Sequence, residues 1–136
     1  MNKRQFSADG SAEIMGNYSH GIALDMGDVT LIFVTGQIAQ DTDGKPVATD
    51  DIEKQTRYVF ESIDKILRVD GASLDDVVKA VIYVKNIADF RKISPIRNEY
   101  FAKSKPVSTL VEISATVKEG CDIEIEVIAA KQKEKS

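Results

Sequence analysis

With 136 residues, 43% of them hydrophobic and 29% charged, the chain suits a single domain with one core. A net charge of −4, with no basic patch interleaved with aromatics, argues against a surface made for nucleic acid, which needs clustered Lys and Arg. One cysteine excludes an internal disulfide, and one histidine beside it leaves too few soft ligands for an ordinary structural zinc site.

The first residues, Met1–Phe6, carry charge with no apolar stretch after them, so no secretory signal is expected. Apolar runs such as 80–84 are too short to span a bilayer, so no membrane partner is expected and the expected compartment is the cytoplasm. Residues 5–8 read as a short strand and Asp9-Gly10-Ser11 as a turn. Gly16-Asn-Tyr-Ser-His-Gly21 has the outer glycines of a phosphate loop, but Ile22 stands where the lysine belongs, so that reading fails.

Stretches 20–26 and 29–35 make two strands around a Gly27-Asp28 hairpin turn, the second almost continuously apolar, as a central strand is. Gly36 ends that strand, where a glycine marks the close approach of another backbone or a ligand. Asp41-Thr-Asp-Gly-Lys45 is a turn, its glycine misplaced for a calcium loop.

Asp50 with Glu53 resembles a capping box, and Ile52, Thr56, Val59, Phe60, Ile63, Ile66 and Leu67 recur at helical spacing until Gly71 stops the helix. Ser73 is a second cap signal, and 78–84 is a strand. Ser94-Pro95 places a cap before a proline at a first helical position, predicting a helix from Pro95 to about Lys103. A strand at 107–113 and a turn at 117–122 lead to the last strand, and 131–136 reads as a frayed, solvated tail.

That last strand is the most informative stretch. Alternation puts Ile123, Ile125, Val127 and Ala129 on one wholly apolar face. Glu124, Glu126, Ile128 and Ala130 lie on the other, acidic at its start and apolar at its end. A solvated face would not turn apolar halfway, which implies a cover, most simply another subunit. Two carboxylates beside such a cover are candidates for raised pKa, and the plain alternative is a pair of solvated glutamates. The order of elements predicts an α+β fold: a single domain over 1–136, one mixed β-sheet, and two helices packed on one face.

Several stretches together resemble the Rid (YjgF) family of reactive-intermediate deaminases, formerly called L-PSP endoribonucleases. They are Gly16–Gly21, Val34–Ile38, Val81–Lys85 with Asp89-Phe90, Pro106 with Val111-Glu112, and Ile123–Ala129. The resemblance implies a chorismate-mutase-like fold assembled as a homotrimer, with small-molecule clefts between subunits, no cofactor and no metal. It implies hydrolysis of an enamine or imine to a carbonyl compound and ammonia, with a non-catalytic metabolite-binding trimer as the alternative. Glu124 falls where the family keeps the glutamate that orients water, Tyr18 where a tyrosine lines the cleft, and Thr35 and Gly36 where a Ser-Gly pair frames it. Ser94 falls at a usual asparagine. Ser108 stands where active 2-imino acid deaminases carry the arginine that grips the substrate carboxylate, and Leu110 where a cysteine is common. The substrate is therefore expected to be atypical.

Overall fold

The computed structural model describes residues 2–133. Six strands form one sheet: β1 (Asn2–Phe6), β2 (Gly21–Met26), β3 (Val29–Ile38), β4 (Val77–Val84), β5 (Val107–Glu112) and β6 (Ile123–Gln132). Their order is β1-β2-β3-β6-β4-β5, antiparallel at every step except the parallel β4–β5 pair. The last strand thus slots between β3 and β4, which run parallel to each other on either side of it.

Two helices make the crossovers, α1 (Ile52–Val69) from β3 to β4 and α2 (Phe90–Tyr100) from β4 to β5. Both crossovers step the same way along the sheet, so the common right-handed sense puts both helices on one face. Beneath them lies the core. Val59, Phe60, Ile63, Ile66 and Leu67 of α1 meet Ile32 and Val34 of β3 and Ile123, Ile125 and Val127 of β6, all buried. Phe60 stacks on Tyr100 at 4.8 Å and meets Phe101 edge-on at 5.1 Å, which joins α2 to α1. The predicted apolar face of β6 is this core face.

Four local expectations are corrected. The first strand is Asn2–Phe6 rather than 5–8, because Arg4 reaches Asp25 at 2.5 Å and Asp70 at 3.1 Å and so fastens the edge by charge. The cap of α1 is Asp51, whose side chain accepts from Lys54 N at 3.1 Å, while Asp50 takes a left-handed φ of 65°. Helix α2 begins one turn before Pro95, which sits inside it. Its start is set by a 3-10 turn at Ile87–Asp89 capped by Asn86, and Pro95 faces solvent, where losing one N–H bond is tolerable. Finally, Lys131 and Gln132 belong to β6 and Lys133 N donates to Asp28 O at 2.7 Å, so the tail expected from 131 is ordered at least that far; 134–136 lie outside the described residues.

Candidate functional site

Glu124 is the second residue of β6 and points away from the helices, half-buried. Its room comes from Gly36. Strand β3 does not end at Thr35 but passes through a bulge between Val34 and Gln37, pairing again at Gln37↔Ile125 and Ile38↔Glu124. In that bulge a Cβ on residue 36 would collide with Glu124 Oε2 and lie 3.0 Å from its Cδ and 3.2 Å from its Cγ. The close approach expected at Gly36 is therefore made by the Glu124 side chain.

Burial first, and the neighbouring Glu126 second, push the Glu124 carboxyl above its ordinary pKa. Tyr83 of β4 pairs with Glu124 in register on the same face and donates its hydroxyl to Glu126 Oε1. That hydrogen bond, then burial, raises the Tyr83 pKa. The face thus carries a proton-accepting carboxyl beside a Tyr–Glu pair. Tyr83 escaped the sequence reading as a site residue, although its outward position follows from the alternation of β4.

The base of β6 is anchored from the core side by Gln55 of α1. This buried amide donates to Gly120 O at 2.6 Å and Val47 O at 3.2 Å, and accepts from Asp122 N at 3.0 Å. Cys121 is 2% exposed, donates to Ala39 O at 3.2 Å, and has its pKa raised by burial, which leaves it a packing residue.

Thr35 Oγ1 donates to Ser19 O at 2.5 Å, and Thr35 N donates to His20 O at 2.9 Å. Its hydroxyl is engaged in tying down the loop that carries Tyr18, which is 53% exposed and folds against Gly16. Buried His20 holds the other side of that loop, its Nδ1 accepting from Ala8 N at 3.1 Å and Nε2 donating to Ala12 O at 2.9 Å.

The profile of the family described as Endoribonuclease L-PSP matches residues 10–131. A RutC family protein of Pyrococcus abyssi is 42% identical over 118 residues, 87% of this chain and 89% of that relative. One of Leuconostoc mesenteroides is 31% identical over 135 residues, spanning 96% and 100%. This chain belongs to the Rid/YjgF family. Among solved structures, a Rid family protein of unknown function from Yersinia pestis superposes with a TM-score of 0.82 at 34% identity, over 94% of this chain and 98% of that one. A yeast protein superposes with a TM-score of 0.86 at 29% identity, over 96% and 100%. The fold is therefore the chorismate-mutase-like fold of the Rid/YjgF proteins.

The remaining candidates sit elsewhere in this Rid/YjgF chain. The β4–β5 register pairs Ala80↔Ser108 and Ile82↔Leu110, and Ala80 and Ile82 are core residues, so Ser108 and Leu110 face the helices. Glu124 faces the other way. Leu110 packs partly buried against the core. Ser108 borders a groove beneath α2, and Ser94 of α2 accepts from Arg97 Nη2 at 3.1 Å. Within one chain Glu124 and Ser108 cannot share a pocket, because the sheet lies between them.

Proposed function

We propose that this Rid/YjgF chain hydrolyses the C=N bond of a small imine or enamine, and that it does so as a homotrimer with clefts between subunits. The observation that carries the reading is the Glu124 carboxyl: half-buried, given its space by Gly36, and raised in pKa. Such a carboxyl is placed to take up and return a proton. An imine tautomer needs only a positioned water. Glu124 accepts a proton from the water as its oxygen bonds to the imine carbon and passes that proton to the imine nitrogen, giving a carbinolamine. It then takes the carbinolamine hydroxyl proton and delivers it to nitrogen as the C=O bond forms and the C–N bond breaks, so both water protons end on nitrogen and imine plus water becomes carbonyl compound plus ammonia. Positioning and proton transfer are the whole requirement.

The opposite facing of Glu124 and Ser108 supports the oligomer, since a cleft using both needs Glu124 from one copy and Ser108 from another. Apolar side chains on the open sheet face support it too: Phe33 is 38% exposed, Val111 39% and Val107 69%, with Ile128 half-buried among them. The test is ammonia release from imines generated in solution, wild type against Glu124→Gln. A loss of about a hundredfold or more is expected, the scale of a missing general base. Equal rates across a substrate panel overturn the proposal. Ser108 in place of the arginine favours a second reading, a trimer that binds a metabolite without turning it over; ligand-induced stabilisation with no ammonia released would support that one.

A further inference from the structure

Hydrolysis through Glu124 leaves Tyr83 and Glu126 without a role, although both share the open face of the sheet with it. Cross-strand pairing sets Tyr83 opposite Glu124 and Val81 opposite Glu126, so the tyrosine stands diagonally across from Glu126. Diagonal neighbours lie roughly 7–8 Å apart, a span that an aromatic side chain can cover. The Tyr83 hydroxyl closes it by donating to Glu126 Oε1. An ionised carboxylate can only accept, so the proton stays on the phenol and the charge on Glu126. The raised pKa of Tyr83, caused first by this hydrogen bond, agrees.

Glu126 is exposed and its side chain is long. Without a partner it would swing into water, away from the like charge two residues back along the strand. The hydrogen bond removes that freedom and keeps the charge beside Glu124. The other charges around Glu124 are few. Strand β3, one neighbour of β6, has no charged residue. Strand β4, the other, brings Lys79, which pairs with Ile128 beyond Glu126. Lys85 and Asp122 meet through their backbones at the foot of the two strands. Helix α1 lies on the opposite face of the sheet. Among the described residues, Glu126 is the charge that bears on the Glu124 carboxyl, second to burial itself.

We propose that Tyr83 is a positioning residue for the reaction at Glu124: its hydroxyl pins the Glu126 carboxylate in place, so that Glu126 remains the charged member of the pair and Glu124 the member that takes up and returns protons. The inference rests on reading Glu124 as the group that handles the proton. It assigns the pH dependence of the reaction to Tyr83, Glu126 and Glu124 acting together. Two carboxyls in different surroundings divide in this way into one that stays ionised and one that exchanges.

The test is titration of the Glu124 carboxyl by carbon NMR on the full chain, its signal assigned by its loss in Glu124→Gln, beside the pH profile of ammonia release. Glu126→Gln should raise the acid dissociation constant of Glu124 about threefold, the factor that two unit charges two strand residues apart exert through water. Tyr83→Phe should move it the same way by less, because the released Glu126 keeps its charge but not its place. With Glu126→Gln already present, Tyr83→Phe should add nothing. The acid limb of the ammonia-release profile should move to lower pH in step. Circular dichroism checks folding; Glu126→Ala and Tyr83→Leu stand in for either variant that does not fold. A wild-type Glu124 titration in either single variant, a shift to higher pH, or an equal effect of Tyr83→Phe once Glu126 is replaced overturns the inference. If no imine yields ammonia, the hydrolase reading fails by itself, and the NMR titration still decides whether Tyr83 acts on Glu124 through Glu126.

Discussion

Replacing Gly36 by alanine tests whether Glu124 owes its position to the β3 bulge. Gly36 does not have a left-handed φ, so the alanine backbone itself is permitted. The conflict is with one side chain. The added methyl would stand 3.0 Å from Glu124 Cδ and 3.2 Å from Cγ, roughly 0.3–1.0 Å inside the comfortable carbon–carbon distance. Overpacking of that kind costs about 1–3 kcal/mol, while the stiffer unfolded chain returns about 0.4–1 kcal/mol. In a Glu124→Ala background only the second effect survives, so Gly36→Ala should become neutral or stabilising. The double-mutant cycle should therefore show a coupling of about 1–3 kcal/mol, read by denaturant unfolding at one fixed protein concentration. In thermal melts each kcal/mol should appear as roughly 3–4 °C for a chain of this length. Additivity of the two changes within about 0.5 kcal/mol would refute the steric account. Ammonia release gives a second readout. Gly36→Ala should lower it by displacing the carboxyl even where the fold is intact.

Other expectations follow from named contacts. Because burial raises the Glu124 pKa, the folded protein holds that proton more tightly than the unfolded chain, so the ionised carboxylate is a stability penalty present above the raised pKa. Glu124→Gln should accordingly raise stability at neutral pH, and the gain should vanish below the ordinary carboxylate range; a pH-independent difference would count against the burial. The turnover of the wild type should fall as pH drops through the same raised pKa. Arg4 holds Asp25 down to about 2, so that ion pair contributes stability above the ordinary value of 3.8 and loses it as pH falls toward 2; hydrogen exchange in β1 should quicken over that window, and Asp25→Asn should remove the dependence. Gln55→Leu strands Gly120 O and Asp122 N at the foot of β6 and should cost about 2–4 kcal/mol, with slower turnover as Glu124 loses its footing. Phe33→Lys on the open sheet face should shift sedimentation toward monomer; an unchanged oligomer would place the subunit contact elsewhere.

Much of this protein was legible in local pattern, because periodicity and turn chemistry act over a few residues. Alternation along β6 separates Ile123, Ile125 and Val127 from Glu124 and Glu126 whatever the strand pairs with, and the helical stripe from Ile52 to Leu67 marks its own buried side. Gly27 and Gly71, both at positive φ, end their elements for reasons internal to the backbone. From these the mixed sheet with two covering helices follows. What the pattern left open were matters of register and competition between neighbouring signals. Two adjacent aspartates could each cap α1, and the hydrogen bond to Lys54 N selects Asp51; Ser94-Pro95 offers a start for α2, and the earlier turn at Asn86 wins.

The site itself was decided by tertiary structure. Glu124 was singled out by its place on a strand, but only the pairing of β3 with β6 brings Gly36 beneath it. Only the parallel pairing of β4 with β5 turns Ser108 to the opposite side and toward Arg97. A strand's own sequence sets which residues alternate. The neighbour it joins, and the register of that joining, are long-range choices made by the packed core, and they determine which chemical groups meet.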